Sequence, residues 1–147
     1  MRIVICTSMR FPKEIYSVRA RLEEMGHQVL VPEPTETSDR SNESAHVAAR
    51  RKIEGDLIRR HWTKIRKADA ILVLNYDKDG IANNVGGNSF LEMGFAYVLR
   101  KRIFLLNPIP KMSYEAEMIA MQPMILYGDL GQLVERGSGA SRAPDVL

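Results

Sequence analysis

AILVLNY, residues 70–76, decides the fold. The run is apolar without alternation, and it is closed by a polar segment that begins at Asp77. A strand with one face in water alternates apolar and polar positions, whereas a strand covered on both faces does not. RIVIC (2–6) and RIFLLN (102–107) have the same character. Two shorter runs, HQVLVP (27–32) and PMILYG (123–128), complete the set. The first follows Gly26, which is placed to end a helix, and the second closes at Gly128. Strands of this kind form a parallel sheet, and parallel neighbours need long crossovers between them.

Helical periodicity lies where those crossovers are required. Residues 13–25 put Ile15, Val18, Leu22 and Met25 on one face. Residues 45–67 read as one long amphipathic basic helix with Ile53, Leu57 and Ile65 on its inner stripe. Helices are also expected over 89–101 and 113–121, with a short last one in DLGQLVER (129–136). The alternation predicts an α/β fold, a doubly wound five-stranded parallel sheet with helices on both faces. One domain is expected over 1–136, followed by a disordered tail at 137–147, within RGSGASRAPDVL. PEPTETSDRSNES (32–44) is either a surface loop or a mobile flap over a site.

A chain of 147 residues can bury a substantial core. Its one cysteine, Cys6, excludes an intrachain disulfide framework and points to a reducing compartment. Cys6 itself reads as a small buried hydrophobe at a strand end in preference to a reactive thiol. No apolar run reaches the roughly 18–20 residues of a membrane span, and the apolar part of MRIVICTSMRF is too short for a signal peptide. A cytoplasmic protein with no membrane partner is therefore expected. The net charge is +3, but Arg50, Arg51, Lys52, Arg59, Arg60, Lys64, Arg66 and Lys67 face only Glu54 and Asp56 in their stretch. That run either attracts a phosphate or is a solvated helix face; nucleic acid is not the expected partner.

In open parallel sheets, ligands bind beyond the carboxyl ends of the strands, where strand order reverses. Those ends are CTSMRF (6–11), NYDKDGIANNVGGNS (75–89) and NPIPKMS (107–113). GGNS lacks the Lys-Ser/Thr of a phosphate loop, and CTSMRFP lacks the glycines of a dinucleotide fingerprint. His27, His46 and His61 are scattered without metal spacing, and no Gly-x-Ser-x-Gly elbow occurs. Neither a metal nor a cofactor is expected.

What remains is GGNSFLEMG (86–94), where Glu92 is the only charged residue between Asp79 and Arg100. Gly86 and Gly87 permit a tight turn, after which a helix start offers free N–H groups to an anion or a sugar hydroxyl. Ser89-x-x-Glu92 has the form of a capping box, which contributes about 0.5–2 kcal/mol. Glu92 also shares a helix face with Phe95, Ala96 and Leu99, which turns it inward. Gly94 inside the helix suggests a close approach by a strand or ligand. An inward carboxylate beside apolar groups is what attack on a sugar carbon needs. Both roles, cap and chemistry, fit Glu92.

TSMR (7–10), ADAILVLN (68–75) and GGNSFLEMGFAYVLRKRIFLL (86–106) together resemble the nucleoside 2-deoxyribosyltransferase superfamily, including its 2'-deoxynucleoside 5'-phosphate N-hydrolases. The resemblance implies a flavodoxin-like fold and cleavage of the N-glycosidic bond of a nucleoside or nucleotide. It implies Glu92 as nucleophile or oxocarbenium stabiliser, with Ser8 and Arg10 lining the sugar or phosphate pocket. Gly87, Asn88 and Ser89 would contribute from the helix start. Asp77 or Asp79 would protonate the departing base if burial raised its pKa; a solvated turn is the other reading of each. His61 stands where the family commonly has an acidic residue, and would act as acid/base, bind phosphate or lie on the surface. The resemblance also implies a homodimer or higher homo-oligomer, with MSYEAEMIAMQPM (112–124) as either contact or core. Two alternatives stay open: a non-catalytic nucleotide sensor, and an NAD glycohydrolase, since Toll/interleukin-receptor-type NAD hydrolases use a similar sheet and a helical Glu.

Overall fold

The structure, a computed structural model, describes residues 1–32 and 43–133. All five expected strands form: β1 (Arg2–Cys6), β2 (Gln28–Leu30), β3 (Ala70–Val73), β4 (Arg102–Leu105) and β5 (Met124–Ile125). They pair in parallel, in the order β2-β1-β3-β4-β5. Strand order thus reverses between β1 and β3, whose last residues, Cys6 and Val73, are register partners. The helices are α1 (Pro12–Glu24), α2 (Ala45–Glu54), α3 (Leu57–Arg66), α4 (Gly87–Val98) and α5 (Glu115–Ala120).

Because successive strand side chains point to opposite faces, each apolar run feeds two cores. Ile3, Ile5, Ala70, Leu72 and Phe104 pack with Ile15, Val18 and Leu22 of α1. Val4, Cys6, Ile71, Val73, Ile103 and Leu105 pack with Ile65 of α3, Met93 and Ala96 of α4, and Met118 of α5. The sheet is therefore doubly wound, with helices on both faces. Asn75, fully buried, donates from Nδ2 to the carbonyls of Asn107 and Pro108, while its Oδ1 accepts the Asn107 N–H. This lock holds the ends of β3 and β4 together without leaving a buried amide unpaired. α1 ends as expected at Gly26, φ 88°, where the His27 N–H reaches the Leu22 carbonyl and the Gly26 N–H reaches Glu23.

Several expectations need correction. Residues 45–67 are two helices, because the chain breaks at Gly55 and at Asp56, whose φ of 47° is left-handed. Aspartate is among the few residues that accept this conformation. The break takes Ile53 out of the inner stripe and leaves it 78% exposed, while Ile65 is fully buried. α4 starts at Gly87, with extended Gly86 as N-cap, so Ser89 lies inside the first turn and no side chain caps it. The Phe90 N–H already bonds to the Gly86 carbonyl, and the capping box of Ser89 and Glu92 does not form. Neither Gly86 nor Gly87 has a positive φ, and a Cβ at Gly86, Gly87 or Gly94 would meet nothing within 4 Å. Among the described residues, therefore, no strand closely approaches Gly94, and neither Gly86 nor Gly87 uses a conformation reserved for glycine. In the methionine-rich segment, Met118 is core, with Met112 and Met121 packed partly against it. Leu133 is fully buried, but the end of the helix expected over 129–136, most of the 32–44 loop and the 137–147 tail lie outside the described residues. Among the described residues, no helix is long and apolar enough to cross a membrane.

Candidate active site

Three elements bring one polar side chain each to a common point. Cys6 ends β1, His61 lies mid-way along α3 and Glu92 lies one turn beyond Asn88 on α4. Cys6 Sγ is 3.7 Å from His61 Nε2, which is 3.4 Å from Glu92 Oε1. Cys6 is fully buried, and the His61 and Glu92 side chains keep only 12% and 14% of their exposure. The placement follows from helix phase: Met93 and Ala96 fix α4 against the sheet, as Ile65 fixes α3, which turns Glu92 and His61 toward the seam between the two helices.

That seam opens into a cavity. Thr7 and Met9 after β1 and Pro32 after β2 form one end. The walls are Arg51 and Lys52 of α2, Leu57, Ile58, Arg60, His61 and Lys64 of α3, and Asn88, Leu91, Glu92 and Phe95 of α4. Polar groups on the rim are tied down. Thr7 Oγ1 donates to the Leu74 carbonyl at 2.9 Å, Lys52 Nζ to Asn88 Oδ1 at 2.9 Å, and Lys64 Nζ to the Val31 carbonyl at 3.1 Å. Arg51 pairs with Glu43.

Burial pushes the Glu92 carboxyl up from 4.5 to about 7, against the opposing pull of the Cys6 hydrogen bond and the Lys52 charge. Burial also pushes the Cys6 thiol well up, reinforced by the Glu92 charge beside it. At neutral pH the site therefore holds a thiol that can donate a hydrogen bond and a carboxyl poised between its two protonation states. A carboxylate of this kind can attack or stabilise an electrophilic carbon, and the imidazole beside it can carry a proton.

Of the residues singled out from the sequence, His61, Asn88 and Glu92 share this cavity wall. Ser8, Arg10, Asp77, Asp79, Gly87 and Ser89 do not line it. Arg10 Nη1 and Asp79 Oδ1 form an exposed ion pair at 2.8 Å. Asp77 Oδ1 accepts the Asn83 N–H at 2.9 Å within its own turn, and Asp79 has a φ of 52°. Both aspartates are exposed, so the burial on which the acid role depended is absent. Ser8 Oγ accepts the Arg10 N–H at 3.4 Å, and Ser89 is 5% exposed.

Solved structures similar to this chain include the following two. A CMP N-glycosidase of Clostridium botulinum, BcmB, is 16% identical, with 85% of each chain covered and a TM-score of 0.49. A 2-deoxyribosyltransferase from the psychrotolerant bacterium Bacillus psychrosaccharolyticus is 21% identical, with 74% of this chain and 73% of that chain covered and a TM-score of 0.44. No family model and no curated protein matches the chain.

Sequence reasoning missed Cys6 as a neighbour of His61 and Glu92, and it did not place the cations. Arg51, Lys52, Arg60 and Lys64 reach the cavity, whereas Arg59 and Arg66 do not. A signal existed: Leu57, Arg60, His61 and Lys64 follow the i, i+3, i+4, i+7 spacing of a single helix face. For Cys6 no such signal exists, since it meets His61 across 55 positions of chain.

Proposed function

We propose that this chain is an enzyme of N-glycosidic chemistry, hydrolysing or transferring the (deoxy)ribosyl group of a nucleoside or nucleoside 5'-monophosphate. The observation that carries this reading is the Glu92 carboxyl, half-ionised near neutrality and held against His61 on the wall of a cavity with cations around it. Ionised Glu92 attacks or electrostatically stabilises the anomeric carbon as the carbon–nitrogen bond breaks. The electron pair of that bond leaves with the base, which takes a proton; His61 is the group beside Glu92 able to supply it. Water or an acceptor base then takes the sugar, and Glu92 is regenerated. Lys52, Arg60 and Lys64, which line the cavity, supply positive charge for a 5'-phosphate.

The test is incubation with nucleosides, deoxynucleosides, their 5'-monophosphates and NAD, with released base followed by chromatography for wild type and Glu92→Gln. Release by wild type alone is expected, from a substrate carrying a (deoxy)ribosyl–base bond. Release from NAD alone would favour the glycohydrolase alternative. No release from any compound, with nucleotide binding equal in both proteins, would replace catalysis with sensing.

A further inference from the structure

The group Cys6, His61 and Glu92 has a second capacity that glycosidic chemistry does not use. Its three donor atoms, a sulfur, an imidazole nitrogen and a carboxylate oxygen, all lie within 4.8 Å of one another. Around a tetrahedral zinc ion, with Zn–S about 2.3 Å and Zn–N or Zn–O about 2.0–2.1 Å, neighbouring donors are separated by roughly 3.3–3.6 Å. The observed Sγ–Nε2 and Nε2–Oε1 separations of 3.7 and 3.4 Å match two of those edges. The third edge, from Cys6 Sγ to the Glu92 carboxylate, is at most 4.8 Å.

We propose that Cys6, His61 and Glu92 form a site for a thiophilic divalent cation of the zinc class, with its fourth position open to the cavity. Three protein ligands from three different elements, with one position facing open space, form a donor set of the open kind. The sulfur selects against magnesium and calcium, which take oxygen. On coordination the Cys6 proton, together with the Glu92 proton in the fraction that carries one, passes to solvent as the metal–ligand bonds form. Thiolate and carboxylate together then neutralise the cation, which offsets the repulsion of Lys52 and the other cavity cations. Lys52, Arg60 and Lys64 line the same cavity as His61 and Glu92, so an anionic fourth ligand suits the open position. Where the site also has the function proposed above, on which this consequence rests, a bound cation occupies Glu92 and so excludes the glycosidic substrate.

The probe is cobalt(II), added to the full chain after chelator treatment, with Cys6→Ala and Glu92→Gln in parallel and circular dichroism to confirm that each folds. One equivalent is expected to produce intense tetrahedral ligand-field bands and a thiolate-to-cobalt charge-transfer band, both abolished by zinc. Cys6→Ala loses the charge-transfer band and weakens binding at least ~10-fold, while Glu92→Gln keeps the band and binds more weakly. Cys6→Ser serves if the alanine variant does not fold. Absence of the charge-transfer band, or its persistence without Cys6, overturns the site. Stoichiometric zinc should also abolish base release reversibly with chelator. Activity untouched by zinc would overturn the competition alone. A wild type silent on every substrate would count against the glycosidic function, while the cobalt spectra still decide the metal site.

Discussion

The two sides of the sheet are built from the same strands but covered differently. Under α1 the contacts are apolar throughout: Ile15, Val18 and Leu22 meet Ile3, Ile5 and Leu72. Under α3 and α4 the packing includes Cys6 at its edge, and Cys6 touches a histidine beside a carboxylate. One side contributes stability, and the other gives some of it up to hold a buried ionisable group. The difference teaches where to look in a doubly wound fold: on the face where burial and charge coincide.

The largest expected effect sits on the second face. Glu92→Gln should lower base release by on the order of 10³-fold, the loss typical of a group that stabilises developing charge. A variant retaining wild-type turnover would make the two faces equivalent and remove Glu92 from the chemistry. On the first face, Leu22→Ala should cost about 2–5 kcal/mol in denaturant unfolding, with substrate KM unchanged in the folded fraction. Phe95→Ala, at the cavity wall, should cost less stability and raise KM. The reverse ranking would mean that the cavity side is the better packed.

The third effect is a stability gain. Folded Glu92 binds its proton near pH 7, whereas unfolded it does so near 4.5. Folding therefore meets no penalty from this group below about pH 4.5, loses stability as pH rises between those values, and carries the full penalty above pH 7. Without metal, Glu92→Gln should unfold at higher denaturant than wild type at pH 8, by up to about 3 kcal/mol, and equally at pH 4. A variant less stable at both pH values would restore a structural role for the carboxylate. Smaller again, Lys52→Ala should raise KM for a 5'-monophosphate about tenfold, equivalent to about 1.4 kcal/mol, and leave the nucleoside's KM nearly unchanged. Arg10→Ala, at an exposed ion pair, should cost less than about 1 kcal/mol of stability. Should it raise the monophosphate KM more than Lys52→Ala does, phosphate binds at the strand-end loops and not between the helices.

The fold was largely legible because strands buried on both faces cannot alternate, and RIVIC, AILV and RIFL do not. The break after α2 was not, since Gly55 and Asp56 fit a continuous amphipathic pattern until the left-handed turn at Asp56 reverses it. Glu92 stood out as a lone carboxylate on an apolar helix, and His61 only as the residue standing where the resembled family commonly has an acid. Their pairing was not legible, because it depends on the crossing of α3 and α4, which no local spacing encodes. Arg10 and Asp79, also singled out from the sequence, pair with each other at the strand ends, outside the cavity wall.

α2 buries no residue, and it joins α3 through one left-handed residue. Its attachment thus has little of the free energy that holds the sheet, and its amides should exchange with solvent well before those of β1 or β3. Lys52 travels with that helix. If Lys52 holds an anion as proposed, its affinity is discounted by any fraction of time α2 spends undocked, and mutations that stiffen residues 55–56 would tighten binding without touching a single ligand contact.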